Sequence, residues 1–126
     1  MRHLLILFLL STSFIACSQT QNQAGYKNLD NKAFAEKLKD TSVVILDVRT
    51  PDEYNAGHIP NATLVNFYDA DFKTKVQALD KDKTYLVYCA AGGRSSKAST
   101  LMTDNGIKAV YNLQGGFNKW DGPKEK

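Results

Sequence analysis

The chain has 126 residues, of which 43% are hydrophobic and 23% charged, with a net charge of +3. That length suits one domain and is too short for two. The mild charge, with no Arg-rich run, leaves no electrostatic footprint for nucleic acid.

The first feature in chain order is a leader. Arg2 and His3 precede an apolar run from Leu4 to Leu10, followed by Ser11-Thr12-Ser13-Phe14-Ile15-Ala16. Roughly a dozen apolar or small residues fall short of the ~20 that span a bilayer as a helix, and they suit the hydrophobic stretch of a secretory signal. Residues 1–16 therefore read as a signal peptide. Phe14-Ile15-Ala16-Cys17 resembles a bacterial lipobox, with Phe14 where Leu is usual, and this makes Cys17 the lipidated first residue. The expectation is an exported protein of the bacterial periplasm, anchored to a membrane through lipid on Cys17. The chain has two cysteines, so lipid on Cys17 leaves Cys89 as the one remaining thiol and rules out an intrachain disulfide framework. Residues 17–25, polar and without apolar periodicity, read as a flexible tether. The folded unit is expected over 26–120, with 121–126 a polar tail.

Within that unit, Asp30 is placed to cap a first helix, with Leu29 and Phe34 positioned as a hydrophobic staple. Val43-Val44-Ile45-Leu46 is a continuous β-branched and apolar run, as expected of a strand buried on both faces of a parallel sheet. Thr50-Pro51-Asp52-Glu53 is a capping box with proline at the first helical position. A strand is expected over Ala62–Phe67, and Phe72, Val76 and Leu79 share one helical face. Asp80–Lys83 is a charged turn, and Tyr85–Tyr88 a buried strand that ends at Cys89. Ser95–Asn105 reads as a helix with Ala98, Leu101 and Met102 inward and Gly106 ending it. Ala109–Leu113 is the last strand, and Gly115-Gly116 a tight turn before a short helix carrying Phe117 and Trp120.

Strands alternating with helices predict an α/β fold: a mainly parallel central sheet of about five strands, with helices on both faces. In such sheets ligand sites form beyond the carboxyl ends of the strands. Two strand ends carry chemistry, Asp47-Val48-Arg49 and Cys89 with its loop. The loop Cys89-Ala90-Ala91-Gly92-Gly93-Arg94-Ser95 joins a buried strand to a helix. At a helix N-terminus backbone N–H groups are unpaired and the dipole is positive. Gly92 and Gly93 let the chain curl so that several N–H groups converge on one anion, and Arg94 can add a positive charge. Each effect favours thiolate over thiol, so the Cys89 pKa is expected to be lowered.

These residues also resemble a known family. CAAGGRS is similar to the rhodanese pattern C-x-x-G-x-R-S. Leu46-Asp47-Val48-Arg49 with Pro51-Asp52-Glu53-Tyr54 and Gly57-His58-Ile59-Pro60-Asn61-Ala62 resembles the family's second signature, and Gly115-Gly116-Phe117 with Trp120 its closing motif. The resemblance spans about Tyr26 to Trp120. It implies a rhodanese-like fold and a sulfurtransferase with Cys89 as nucleophile. The Cys89 thiolate would take sulfane sulfur from a small donor such as thiosulfate, a polysulfide or a persulfide, or from a protein. It would then pass the sulfur to a thiol or cyanide-like acceptor, or to a protein acceptor. No metal or organic cofactor is implied. Ala90, Ala91, Gly92, Gly93, Arg94 and Ser95 are expected to cradle the persulfide, with Asp47 and Arg49 in support.

Two other readings stay open. The uncharged side chains at Ala90, Ala91 and Gly93 are also compatible with a non-catalytic rhodanese-like module that binds a partner at a membrane surface. Cysteine-dependent phosphatases and arsenate reductases of the related group use a loop one residue longer, and the four residues between Cys89 and Arg94 match the shorter form. Asp47 reads mainly as a structural ion-pair member. Arg94 has two roles open to it, touching substrate or pairing inward with a carboxylate. His58, in a Gly57-His58-Ile59-Pro60 turn, reads as a hydrogen-bonded structural residue. With His3 in the leader, histidines offer no metal cluster.

Overall fold

The structure is a computed structural model that describes residues 25–126. The expected signal peptide, Cys17 and most of the expected tether lie outside the described residues. Five strands form one parallel sheet in the order β1-β5-β4-β2-β3: β1 is Lys27–Leu29, β2 Val44–Asp47, β3 Thr63–Leu64, β4 Thr84–Tyr88 and β5 Ala109–Leu113. Parallel pairing puts all five carboxyl ends on one edge, and both Asp47 and Cys89 stand there.

The helices follow their predicted signals closely. α1 (Asn31–Leu38) starts where the Asp30 carboxylate accepts the Ala33 amide at 2.8 Å. α2 (Pro51–Ala56) starts with a complete capping box: the Thr50 hydroxyl accepts the Glu53 amide, and the Glu53 carboxylate accepts the Thr50 amide in return. α3 is Phe72–Gln77. α4 (Gly93–Asp104) begins two residues before the expected Ser95, because Gly92 at φ 109° takes the cap position itself. It ends in a Schellman closure, with Ile107 donating to the Met102 carbonyl and Gly106 to that of Thr103.

Side-chain alternation along β4 divides the core in two. Tyr85, Val87 and Cys89 join Phe72, Val76, Ala98 and Met102 on the face covered by α3 and α4. Leu86 and Tyr88 join Phe34, Ile59 and Trp120 on the face covered by α1, with Tyr54 of α2 packed against them. Each cluster is buried and largely apolar, so covering it gains roughly 25 cal/mol for every Å² of apolar surface removed from water. The chain leaves β4 toward the α4 face, while from β2 it leaves toward the α1–α2 face. The end of β4 is therefore a place where neighbouring connections diverge, the usual position of a ligand crevice in a parallel sheet.

Three details depart from the sequence expectation. Lys27–Leu29 is a strand, although nothing in its composition marks it as one. The expected strand over 62–67 is only two residues long; Val65 and Phe67 donate instead to the Asp47 and Val48 carbonyls, leaving the regular ladder. Residues 121–126 fold back on the domain: His58 and Glu125 exchange both backbone hydrogen bonds, at 2.8 and 2.9 Å, and the Trp120 indole donates to the Pro123 carbonyl.

Candidate functional site

The loop after β4 wraps around the sulfur of Cys89. The Gly92 amide lies 3.1 Å from Sγ, and the Ser95 hydroxyl 3.2 Å. The Ser95 proton has two acceptors at equal range, Sγ and the Gly92 carbonyl, both at 3.2 Å. The Gly92 carbonyl already accepts the Ser96 hydroxyl at 2.7 Å and the Ser96 amide at 3.0 Å. Turning the Ser95 proton onto the sulfur therefore leaves no orphan behind.

Cys89 is only 1% exposed, and burial alone would push its thiol up. The Ser95 hydroxyl and the amides of Ser95, Gly92 and Ala91 outweigh that penalty and hold the pKa below the ordinary thiol value. A buried cysteine in an apolar wall would shift the other way. The arrangement is thus an anion nest, able to hold a thiolate or a sulfur anion attached to it. Among the described residues Cys89 is a free thiol.

Arg94 takes the inward of its two expected roles. Its guanidinium grips the Glu53 carboxylate through two parallel bonds of 2.8 and 3.0 Å. It stands near enough to Cys89 to feel that group's charge, although at the sulfur itself burial and the hydrogen bonds that together outweigh it are the leading influences. Glu53 in turn is held down to about 2, chiefly by Arg94, against the opposing effect of burial. The sequence marks Glu53 only as a helix cap. Its second bond, to a residue 41 positions later, has no local signal.

The Gly115-Gly116-Phe117 motif closes the loop from outside. Phe117 donates its amide to the Cys89 carbonyl at 2.8 Å, and Asn118 donates to that of Ala90 at 3.0 Å. With these carbonyls engaged outward, the following amides are free to face the sulfur. Gly116 sits at φ 64°, ψ −167°, a region open essentially to glycine alone. A Cβ there would collide with the carbonyls of Ala90 and Cys89.

Asp47 and Arg49 lie apart from the sulfur. Asp47 pairs in register with Tyr88, so its side chain emerges on the face opposite Cys89. The two form a buried ion pair, Arg49 donating to the carboxylate at 2.7, 3.0 and 3.1 Å and to the Gly57 carbonyl at 2.6 Å. The Arg49 guanidinium also rests 4.2 Å from the centre of the Phe117 ring. The pair supports the clamp that holds the loop. His58 is likewise structural: its ring stacks on Tyr54 at 3.7 Å, Nδ1 meets the Tyr54 carbonyl at 3.0 Å, and Nε2 lies 3.4 Å from Glu125.

Of the residues expected at the site, the structure brings Cys89, Ala91, Gly92 and Ser95 together around the sulfur. Ala90 contributes a clamped carbonyl, and Gly93 opens α4 with free space beside its Cα.

Comparison with known proteins agrees with this geometry. The rhodanese-like domain profile matches residues 30–122. The thiosulfate sulfurtransferase GlpE of Coxiella burnetii is 36% identical over 95 residues, covering 75% of this chain and 87% of its own. An uncharacterized Bacillus subtilis protein, YqhL, is 31% identical over 118 residues, covering 94% and 90% respectively. The crystal structure of a rhodanese-related protein from Thermoplasma volcanium superposes with a TM-score of 0.70 at 28% identity, over 79% of this chain and 98% of that one. A five-stranded parallel sheet with a sulfur-centred amide nest beyond its middle strand defines an α/β domain of rhodanese type. The chain belongs to the rhodanese-like family.

Proposed function

We propose that this protein is a sulfurtransferase that carries sulfane sulfur on Cys89. The observation that carries this reading is the Cys89 sulfur itself, ringed by main-chain amides and the Ser95 hydroxyl and lowered in pKa despite full burial. The thiolate attacks the outer sulfur of a donor such as thiosulfate, a polysulfide or a persulfide. An Sγ–S bond forms as the donor's S–S bond breaks, and the electron pair departs on the leaving group, which is sulfite when thiosulfate is the donor. The outer sulfur of the resulting persulfide anion is held within the same nest. A nucleophilic acceptor, thiol or cyanide-like, then takes that outer sulfur and returns Cys89 to the thiolate, giving two half-reactions and ping-pong kinetics. A partner protein could fill either the donor or the acceptor role. The relative named as a thiosulfate sulfurtransferase supports the same chemistry.

The short loop between Cys89 and Arg94 supports sulfur over the larger phosphate or arsenate group. The leader at 1–16 and the lipobox-like Phe14–Cys17 support a location outside the cytoplasm, in the periplasm, with lipid on Cys17 as the membrane anchor.

Mass spectrometry after incubation with a panel of sulfur donors tests the activity. Gain of one sulfur atom in the wild type, absent in Cys89→Ser, is expected. A folded protein that gains no sulfur from any donor would refute it. Metabolic labelling with a fatty acid, lost in Cys17→Ala, tests the anchor.

A further inference from the structure

Apart from the Cys89 thiol itself, Cys89–Ser95 contains one ionisable side chain, the cation Arg94. Ala91 and Gly93, the exposed positions of the loop, add no charge. Arg94 is only partly free to attract an anion, because both of its terminal nitrogens are bonded to Glu53. Beside that pair stands Tyr68, the one exposed large hydrophobic residue among the described residues, at 67%, with the Arg94 guanidinium 5.5 Å from its ring centre. Close to the nest there is thus a paired cation and carboxylate next to an exposed aromatic ring.

We infer that Glu53 is a specificity-determining residue acting through Arg94: it cancels the loop's single positive charge, so that the site favours singly charged organic sulfane-sulfur donors, with their apolar group on Tyr68, over doubly charged inorganic thiosulfate. The inference rests on the sulfurtransferase reading and deepens it. A dianion approaching a thiolate already meets repulsion, and a free guanidinium is the device that would offset it. An organic thiosulfonate carries one charge less and supplies an apolar group to pack on the ring. The chemistry is the same for each. The Cys89 thiolate attacks the outer sulfur, the Sγ–S bond forms, and the S–S bond of the donor breaks. The leaving group is sulfite from thiosulfate or a sulfinate from a thiosulfonate, with no net oxidation.

The test compares thiosulfate, methanethiosulfonate and benzenethiosulfonate as donors to the full chain. The readouts are persulfide formation on Cys89 and kcat/KM for each donor. Wild type is expected to prefer both thiosulfonates to thiosulfate. Glu53→Gln is expected to raise the thiosulfate-to-methanethiosulfonate ratio by about five- to tenfold, from one charge acting at partly screened range, whereas Glu53→Asp restores the wild-type ratio. Tyr68→Ala is expected to lower benzenethiosulfonate relative to methanethiosulfonate. A ratio that Glu53→Gln leaves unmoved, or a wild type that takes thiosulfate as readily as thiosulfonates, would overturn the inference. Should Glu53→Gln fail to fold, ionic strength decides with wild type alone. A balanced pair gives a thiosulfate rate that salt does not depress, and a steep decline with salt would reveal an unneutralised cation and overturn the proposal. Absence of persulfide with all three donors and also with polysulfide and a low-molecular-weight persulfide would instead refute the sulfurtransferase reading beneath it.

Discussion

Phe117 holds the carbonyl of Cys89 at 2.8 Å through its backbone amide, and it does so from a segment 28 residues further along the chain. The nest around the sulfur is therefore shaped from two sides. Local loop geometry brings the amides in, and a distant turn draws the carbonyls out.

Gly116→Ala is expected to damage both stability and loading. The backbone there occupies a conformation that costs an ordinary residue about 1–3 kcal/mol, and the new Cβ meets the Ala90 and Cys89 carbonyls. Urea denaturation should show that loss, and persulfide formation should fall further than the stability loss alone explains, because the loop must move aside. Full retention of both would contradict the clamp.

Ser95→Ala removes the largest favourable influence on the Cys89 thiolate while burial stays unchanged. The thiol pKa should rise, so the pH profile of persulfide formation shifts to higher pH and the rate at neutral pH falls. Following the rate from pH 6 to 10 distinguishes this from simple unfolding, since a fold defect lowers the plateau without moving the midpoint. That range brackets an ordinary thiol pKa of ~8.5.

The pH dependence of the Glu53–Arg94 bridge follows from a depressed carboxylate. The Glu53 pKa falls from 4.5 to about 2 on folding. Its contribution is therefore fully present above 4.5 and is lost as the pH falls through that window toward 2. The stability difference between wild type and Glu53→Gln should be constant at neutral pH and shrink across the same interval. With the Glu53 side chain 33% exposed, the gap should be modest. A difference that grows on acidification would be inconsistent with this pairing.

Asp47→Ala should be among the most destabilising single changes, at about 3–5 kcal/mol, because it strands the buried Arg49 charge. Replacing both, as Asp47→Leu with Arg49→Met, should cost less than the sum of the single changes in a double-mutant cycle. Additive losses would show that the two side chains act separately.

Much of this architecture is legible in the sequence because its signals are local. Asp30, the Thr50–Glu53 box, Gly106 and the β-branched run of β2 each announce a helix end or a strand through nearest neighbours. The nest is legible for the same reason: thiol, glycines and helix start lie within one seven-residue loop. What escapes is non-local. Lys27-Asn28-Leu29 is short and largely exposed, and only pairing with Tyr111–Leu113 makes it a strand. Glu53 announces its cap but not its grip on Arg94. The polar tail gives no hint that Glu125 will pair with His58, since the bonds are made by backbone that any sequence carries.

The pairing of β1 with β5 joins the first described segment of the domain to one of its last. A nascent chain still lacking Ala109–Leu113 can build its α1 helix, yet has no edge on which Lys27–Leu29 can lie. Completion of the sheet therefore waits for nearly the whole polypeptide, and such long-range closure slows folding because the chain entropy is spent before the contact is gained.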